Sequence, residues 1–102
     1  MKIKFISTLA IALSMMSGVS HASLELAKSK NCMACHAQDK KLVGPSYNDV
    51  KDKYAKDSKA AENLAIKVKK GGGGVWGAIP MPANGQVTEA EAKTLVKWIL
   101  GK

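Results

Sequence analysis

The residues with most chemistry in them lie together: Cys32-Met33-Ala34-Cys35-His36. Positions three apart in a helical turn share a face. Both sulfurs can therefore add to the two vinyl groups of one haem, and the adjacent imidazole then lies under the iron as an axial ligand. Three other chemistries use similar residues. A dithiol redox centre shares the Cys-x-x-Cys spacing but belongs in a βαβ setting, of which there is no sign. A zinc site needs a fourth ligand, and beyond residue 31 the chain has no other cysteine or histidine. A disulfide between Cys32 and Cys35 closes a loop too small to constrain much of the unfolded chain. It also leaves His36 without a role. Covalent haem attachment uses all three side chains.

The second face of the iron follows by elimination. Met33 sits between the attachment cysteines and cannot reach across, which leaves Met81, a lysine, or an open site holding water. Met81 stands in Ile79-Pro80-Met81-Pro82, where the flanking prolines fix φ and stiffen the backbone. Methionine more often fills a gap in a core. Here it lies between prolines on a long loop that needs something to wrap around, so Met81 is the expected second ligand. Histidine–methionine ligation raises the potential and leaves no position for a substrate. That describes a carrier of single electrons rather than an oxygenase or peroxidase. Two alternatives remain: an enzyme or gas-binding haem protein whose Met81 leaves the iron, and a haem-free exported module.

These residues need elements to position them. Met1, Lys2 and Lys4 precede an apolar run from Phe5 to Met16, and Ser20-His21-Ala22 puts small residues three and one before a cut. This reads as a secretory leader over residues 1–22, removed before Ser23, with one domain over 23–102. The run is shorter than the roughly 20 apolar residues of a membrane span, so the mature protein is not expected to be membrane-embedded. Past the leader stand fourteen lysines, no arginine and eight carboxylates, a net charge of +6, with four aromatics: Tyr47, Tyr54, Trp76 and Trp98. A domain this small with so few large side chains needs a staple. A large bound cofactor supplies one.

Nothing alternates with period two, and the fold reads as all-α. Ser23 to Lys30 forms a first helix. Ser46 caps a second, running to about Lys53. Asp57 or Ser58 caps a third, ending at Lys70, with Ala61, Leu64, Ala65 and Val68 on one buried stripe. Thr88 and Glu91 make a capping box for the last helix. Its apolar face is Ala92, Leu95, Val96, Ile99 and Leu100, and Gly101 stops it. Gly71 to Val87 has no period, yet it carries Val75, Trp76, Ile79 and Met81, apolar groups that call for burial.

Taken in order, Cys32 to His36, Leu42-Val43-Gly44-Pro45, Gly74-Val75-Trp76-Gly77, Ile79 to Pro82 with Asn84, and Lys97-Trp98-Ile99-Leu100 resemble the small bacterial class I monohaem c-type cytochromes, the cytochrome c-551/c-552 group. The resemblance covers essentially all of residues 23–102. It implies a class I cytochrome c fold of four to five short helices wrapped around one covalent haem c, mostly buried with one edge exposed. It further implies that the Pro45 carbonyl accepts from the His36 ring, and that Trp76 hydrogen-bonds a haem propionate. Asn84 would lie beside the methionine sulfur, and Lys67 would be a basic partner for a propionate. Gln86 is one residue more than the family pattern has before Thr88, so the ligand loop is expected to differ there.

A charge of +6 also suits nucleic acid. The absence of arginine, the few aromatics and the export signal argue against it. Steering toward acidic docking patches on redox-partner proteins fits better. The expectation is a monomeric, periplasmic one-electron carrier, not an enzyme. It would shuttle between membrane cytochrome complexes and a terminal oxidase or nitrite reductase, with His36 and Met81 on the iron.

Overall fold

The computed structural model describes residues 18–102. The basic start and apolar run of the expected leader lie outside the described residues. Among those described are four α-helices, one 3-10 turn and no strand, so the chain is all-α. No described helix is long and apolar enough to cross a membrane.

Helix α1 spans Gly18–Ser29, five residues ahead of its expected start at Ser23. No glycine or proline separates Val19 from Ser23 to stop it. Asn31 then takes a left-handed conformation (φ 65°), which asparagine tolerates better than most residues, and the chain enters the 3-10 turn Cys32–Ala34. Helix α2, Tyr47–Lys53, begins at Ser46, whose hydroxyl accepts from the Asp49 N–H at 3.0 Å.

Helix α3, Ala60–Lys70, departs from expectation at its start. Its N-cap is Lys59, which offers no side-chain acceptor. Asp57 Oδ1 accepts from the Lys59 N–H at 2.9 Å, so Asp57 caps the turn leading into the helix and not the helix itself. At the far end Gly71 is left-handed (φ 73°), and Lys67, Lys69 and Lys70 lie in the last turn, where cations suit the helix dipole. Helix α4, Glu89–Ile99, carries the complete capping box, with Glu91 N–H to Thr88 Oγ1 at 3.1 Å and Thr88 N–H to Glu91 Oε1 at 2.9 Å.

Helix α4 is the centre of the packing. It lies most extensively on α3 and also touches α1 and α2. Ala92, Leu95, Val96 and Leu100 are buried there with Ala27, Ala65 and Val87. The core is small in volume: alanine recurs through it, and its largest fully buried side chains are Leu95, Val87 and Val96. The stripe read on α3 is only partly covered by protein. Ala65 is buried, while Ala61, Leu64 and Val68 are half-buried, as is Ile99 on α4. Meanwhile Val43, Val75 and Ile79 are 53%, 44% and 69% exposed. The apolar groups of the long loop call for burial, and protein does not supply it. What they face explains why.

Candidate functional site

A cavity of about 500 Å³ collects these side chains. Cys35, His36, Leu42, Val43 and Pro45 reach it from the segment before α2. Leu64, Lys67 and Val68 reach it from α3, Trp76, Ile79 and Met81 from the long loop, and Val96 and Ile99 from α4. The volume falls within the roughly 300–1,000 Å³ of cofactor sites. The half-buried stripes of α3 and α4 are therefore the walls of a site.

The segment holding His36 is closed by backbone bonds. Gly44 N–H donates to Cys35 O at 2.8 Å, and Tyr47 N–H donates to Ala37 O at 2.9 Å. Inside this frame His36 Nδ1 donates to the Pro45 carbonyl oxygen at 2.7 Å. A carbonyl can only accept, so Nδ1 carries the proton and the neutral ring keeps its lone pair on Nε2. The ring is hemmed in further. A Cβ on Gly44 would lie 2.6 Å from His36 Cε1, which makes glycine obligatory there on packing grounds. Tyr47 stacks on the imidazole with ring centroids 5.2 Å apart and planes 22° from parallel, and Trp98 meets Tyr47 edge-on at 5.4 Å.

Cys32 and Cys35 are both half-buried, and no disulfide joins them. Burial pushes the Cys32 thiol up, with a smaller push from Cys35 and an opposing backbone hydrogen bond.

Met81 is placed by its backbone. Its N–H donates to Gly72 O at 2.8 Å and its carbonyl accepts from Gly72 N–H at 3.0 Å, an isolated antiparallel pair. Gly71 permits the approach, since a Cβ there would stand 2.5 Å from Met81 O. Asn84 commits its amide N–H groups to Val68 O at 2.9 Å and Pro82 O at 3.2 Å. Its side chain thereby fastens the loop to α3. The Trp76 ring lies under Lys53 Nζ, 5.4 Å from its centroid, a cation–π contact joining the loop to α2. Lys67 runs over Gly72 at the cavity wall.

Gln86 closes the loop on the other side. Lys30 Nζ donates to Gln86 O at 3.1 Å, Gln86 Nε2 donates to Lys30 O at 3.2 Å, and Lys30 also pairs with Glu91 at 3.4 Å. Gln86 is therefore the residue that ties the loop to the end of α1.

Sequence reasoning did not single out Gly44 or Tyr47. Gly44 reads as a turn residue beside Pro45, and its contact with His36 depends on the closed segment. Tyr47 follows the Ser46 cap, and only its burial marks it. The donor set itself fits a haem: two thiols, an imidazole with Nε2 available and a thioether on an apolar cavity.

Comparison with known proteins agrees. The profile of the cytochrome c family matches residues 24–101. Cytochrome c-552 of Hydrogenobacter thermophilus is 52% identical over 92 residues, 90% of this chain and 93% of that one. Cytochrome c-551 of Azotobacter vinelandii is 58% identical over 76 residues, covering 74% and 92%. The crystal structure of Nitrosomonas europaea cytochrome c552 superposes with a TM-score of 0.75 at 51% identity, over 76% of this chain and 96% of that one. The chain belongs to the cytochrome c family, as a small class I monohaem electron carrier with one haem c attached through Cys32 and Cys35.

Proposed function

We propose that the protein is a periplasmic one-electron shuttle whose iron is held between His36 Nε2 and the Met81 thioether. The observation that carries this is that both residues line one cavity, the His36 ring held by the Pro45 carbonyl and the Met81 backbone held by its pairing with Gly72. The haem supplies a one-electron change at iron. The chain supplies the rest. The Pro45 carbonyl makes the imidazole a stronger donor. Asn84 and Gln86 hold the loop that carries Met81, and Lys67 and Trp76 stand at the cavity wall as partners for the propionates. With His36 and Met81 both holding the iron, no site would remain for a substrate, which favours a carrier over an enzyme.

A redox partner meets a chain that carries a net charge of +6 past the leader. The excess of lysine steers it toward acidic patches, on membrane cytochrome complexes and a terminal oxidase or nitrite reductase. Export relies on the leader over residues 1–22, and the mature protein acts as a monomer. Nucleic acid is not a partner in this reading.

Met81→Ala tests the assignment. The variant should lose the weak long-wavelength methionine–iron band, fall in reduction potential and bind cyanide and carbon monoxide. A spectrum and potential equal to the parent's would mean that another group binds the iron. Electron transfer to the partner should slow as salt rises; a flat dependence removes the steering.

A further inference from the structure

We propose that Tyr47 is a positioning residue for the axial imidazole, setting the plane of the His36 ring through an aromatic stack that Trp98 supports. The inference rests on His36 being an iron ligand. The Pro45 carbonyl holds the ring at one atom, Nδ1. A single hydrogen bond tolerates rocking about the Cβ–Cγ axis, and a flat neighbour does not. Tyr47 is that neighbour, at a centroid separation of 5.2 Å and 22° from parallel, inside the range of offset aromatic stacking.

Tyr47 is itself fixed. It is buried at the first position of α2, and its N–H donates to the carbonyl of Ala37, the residue after His36. Trp98 on α4 meets it edge-on, 72° from parallel. A displacement of α4 is therefore carried through two rings to the imidazole. In a low-spin ferric centre the plane of an axial imidazole sets the splitting of the iron d orbitals, so the g tensor reads it directly.

The experiment compares holoprotein variants by electron paramagnetic resonance and by potentiometric titration. Tyr47→Phe keeps the ring and should reproduce the parent. Tyr47→Leu removes the stack and should shift the g values and the potential by more than any difference between Tyr47→Phe and the parent. A Tyr47→Leu protein with the parent's g values overturns the inference, provided the parent is a low-spin histidine-ligated haem. A parent without histidine ligation overturns the ligand assignment and this inference with it. Should Tyr47→Leu fail to fold, Trp98→Leu keeps the stack but loses its support. It should move the g values in part, and unchanged values there overturn the inference.

Discussion

Gly44→Ala isolates what the packing around His36 is worth. Gly44 is not among the glycines with left-handed backbone, so alanine meets no conformational strain. In open space the exchange would stabilise by about 0.4–1 kcal/mol through the unfolded chain. The added Cβ, however, would stand 2.6 Å from Cε1, 3.0 Å from Nδ1 and 3.2 Å from Nε2 of His36, against an ordinary contact of 3.4 Å or more. The ring must retreat by about 0.8 Å. Overfilling of this kind costs about 1–3 kcal/mol. The part of the retreat directed along the 2.7 Å bond to Pro45 weakens that bond, another loss of about 1 kcal/mol. The clash wins, and the net loss is about 1–4 kcal/mol. For a domain of this size that lowers the melting temperature by on the order of 10 °C. Thermal unfolding of the holoprotein, followed by circular dichroism and by the haem absorption band, measures it. The potential should rise as well, since the imidazole donates less charge. Gly85→Ala is the control: its Cβ would meet nothing within 4 Å, and it should melt at or slightly above the parent. A Gly44→Ala protein that melts with the Gly85→Ala control would refute the packing argument.

Thr88→Ala removes the N-cap of α4 and should cost about 1 kcal/mol, seen as a shift of the denaturation midpoint at constant slope. Stability should also fall in acid through Glu91. The Thr88 backbone N–H first, then the Thr88 hydroxyl and Lys30, hold its carboxyl below the usual carboxylate range. The folded state thus binds the proton less readily than the unfolded one. The stabilisation is present above the unfolded value and disappears as pH falls through the folded value. Glu91→Gln should weaken the protein near neutrality and flatten its acid dependence, while an unaltered dependence would clear Glu91 of the effect. Asn84→Ala leaves the Val68 and Pro82 carbonyls without their donor. It should cost about 1–3 kcal/mol and lower the temperature at which the methionine–iron band is lost; a band as robust as the parent's would mean that Asn84 does not hold the loop.

Much of the fold is legible in local chemistry. Thr88 and Glu91 announce α4 because a capping box is completed within four residues, and Ser46 announces α2 because its hydroxyl can cap an N–H three residues on. Asp57 misleads because a side-chain acceptor can cap a turn as well as a helix, and only the following backbone decides which. The cofactor is legible from Cys32, Cys35 and His36, whose spacing leaves few other chemistries. That Val75 and Ile79 need something to cover them is legible from their place on a long loop without a period; what covers them is not. Apolar residues in a sequence do not say whether they cover protein or a prosthetic group. Gly44 and Tyr47 were hidden for a further reason: their contacts with His36 cross a closed segment, and a one-dimensional reading holds no record of which residues a chain reversal brings face to face.

The antiparallel pair between Gly72 and Met81 has a kinetic meaning. With the thioether as ligand, breaking its bond to iron frees a side chain but not the backbone beneath it, which stays fastened to the end of α3. The detached sulfur remains within a few bond rotations of the metal, so its return is intramolecular and resembles a reaction at very high local concentration. A dissolved competitor must capture the iron in the short interval before the sulfur comes back. Resistance to small ligands would in this way be a matter of ring closure, set by the two peptide hydrogen bonds between Gly72 and Met81, as much as of the strength of an iron–sulfur bond.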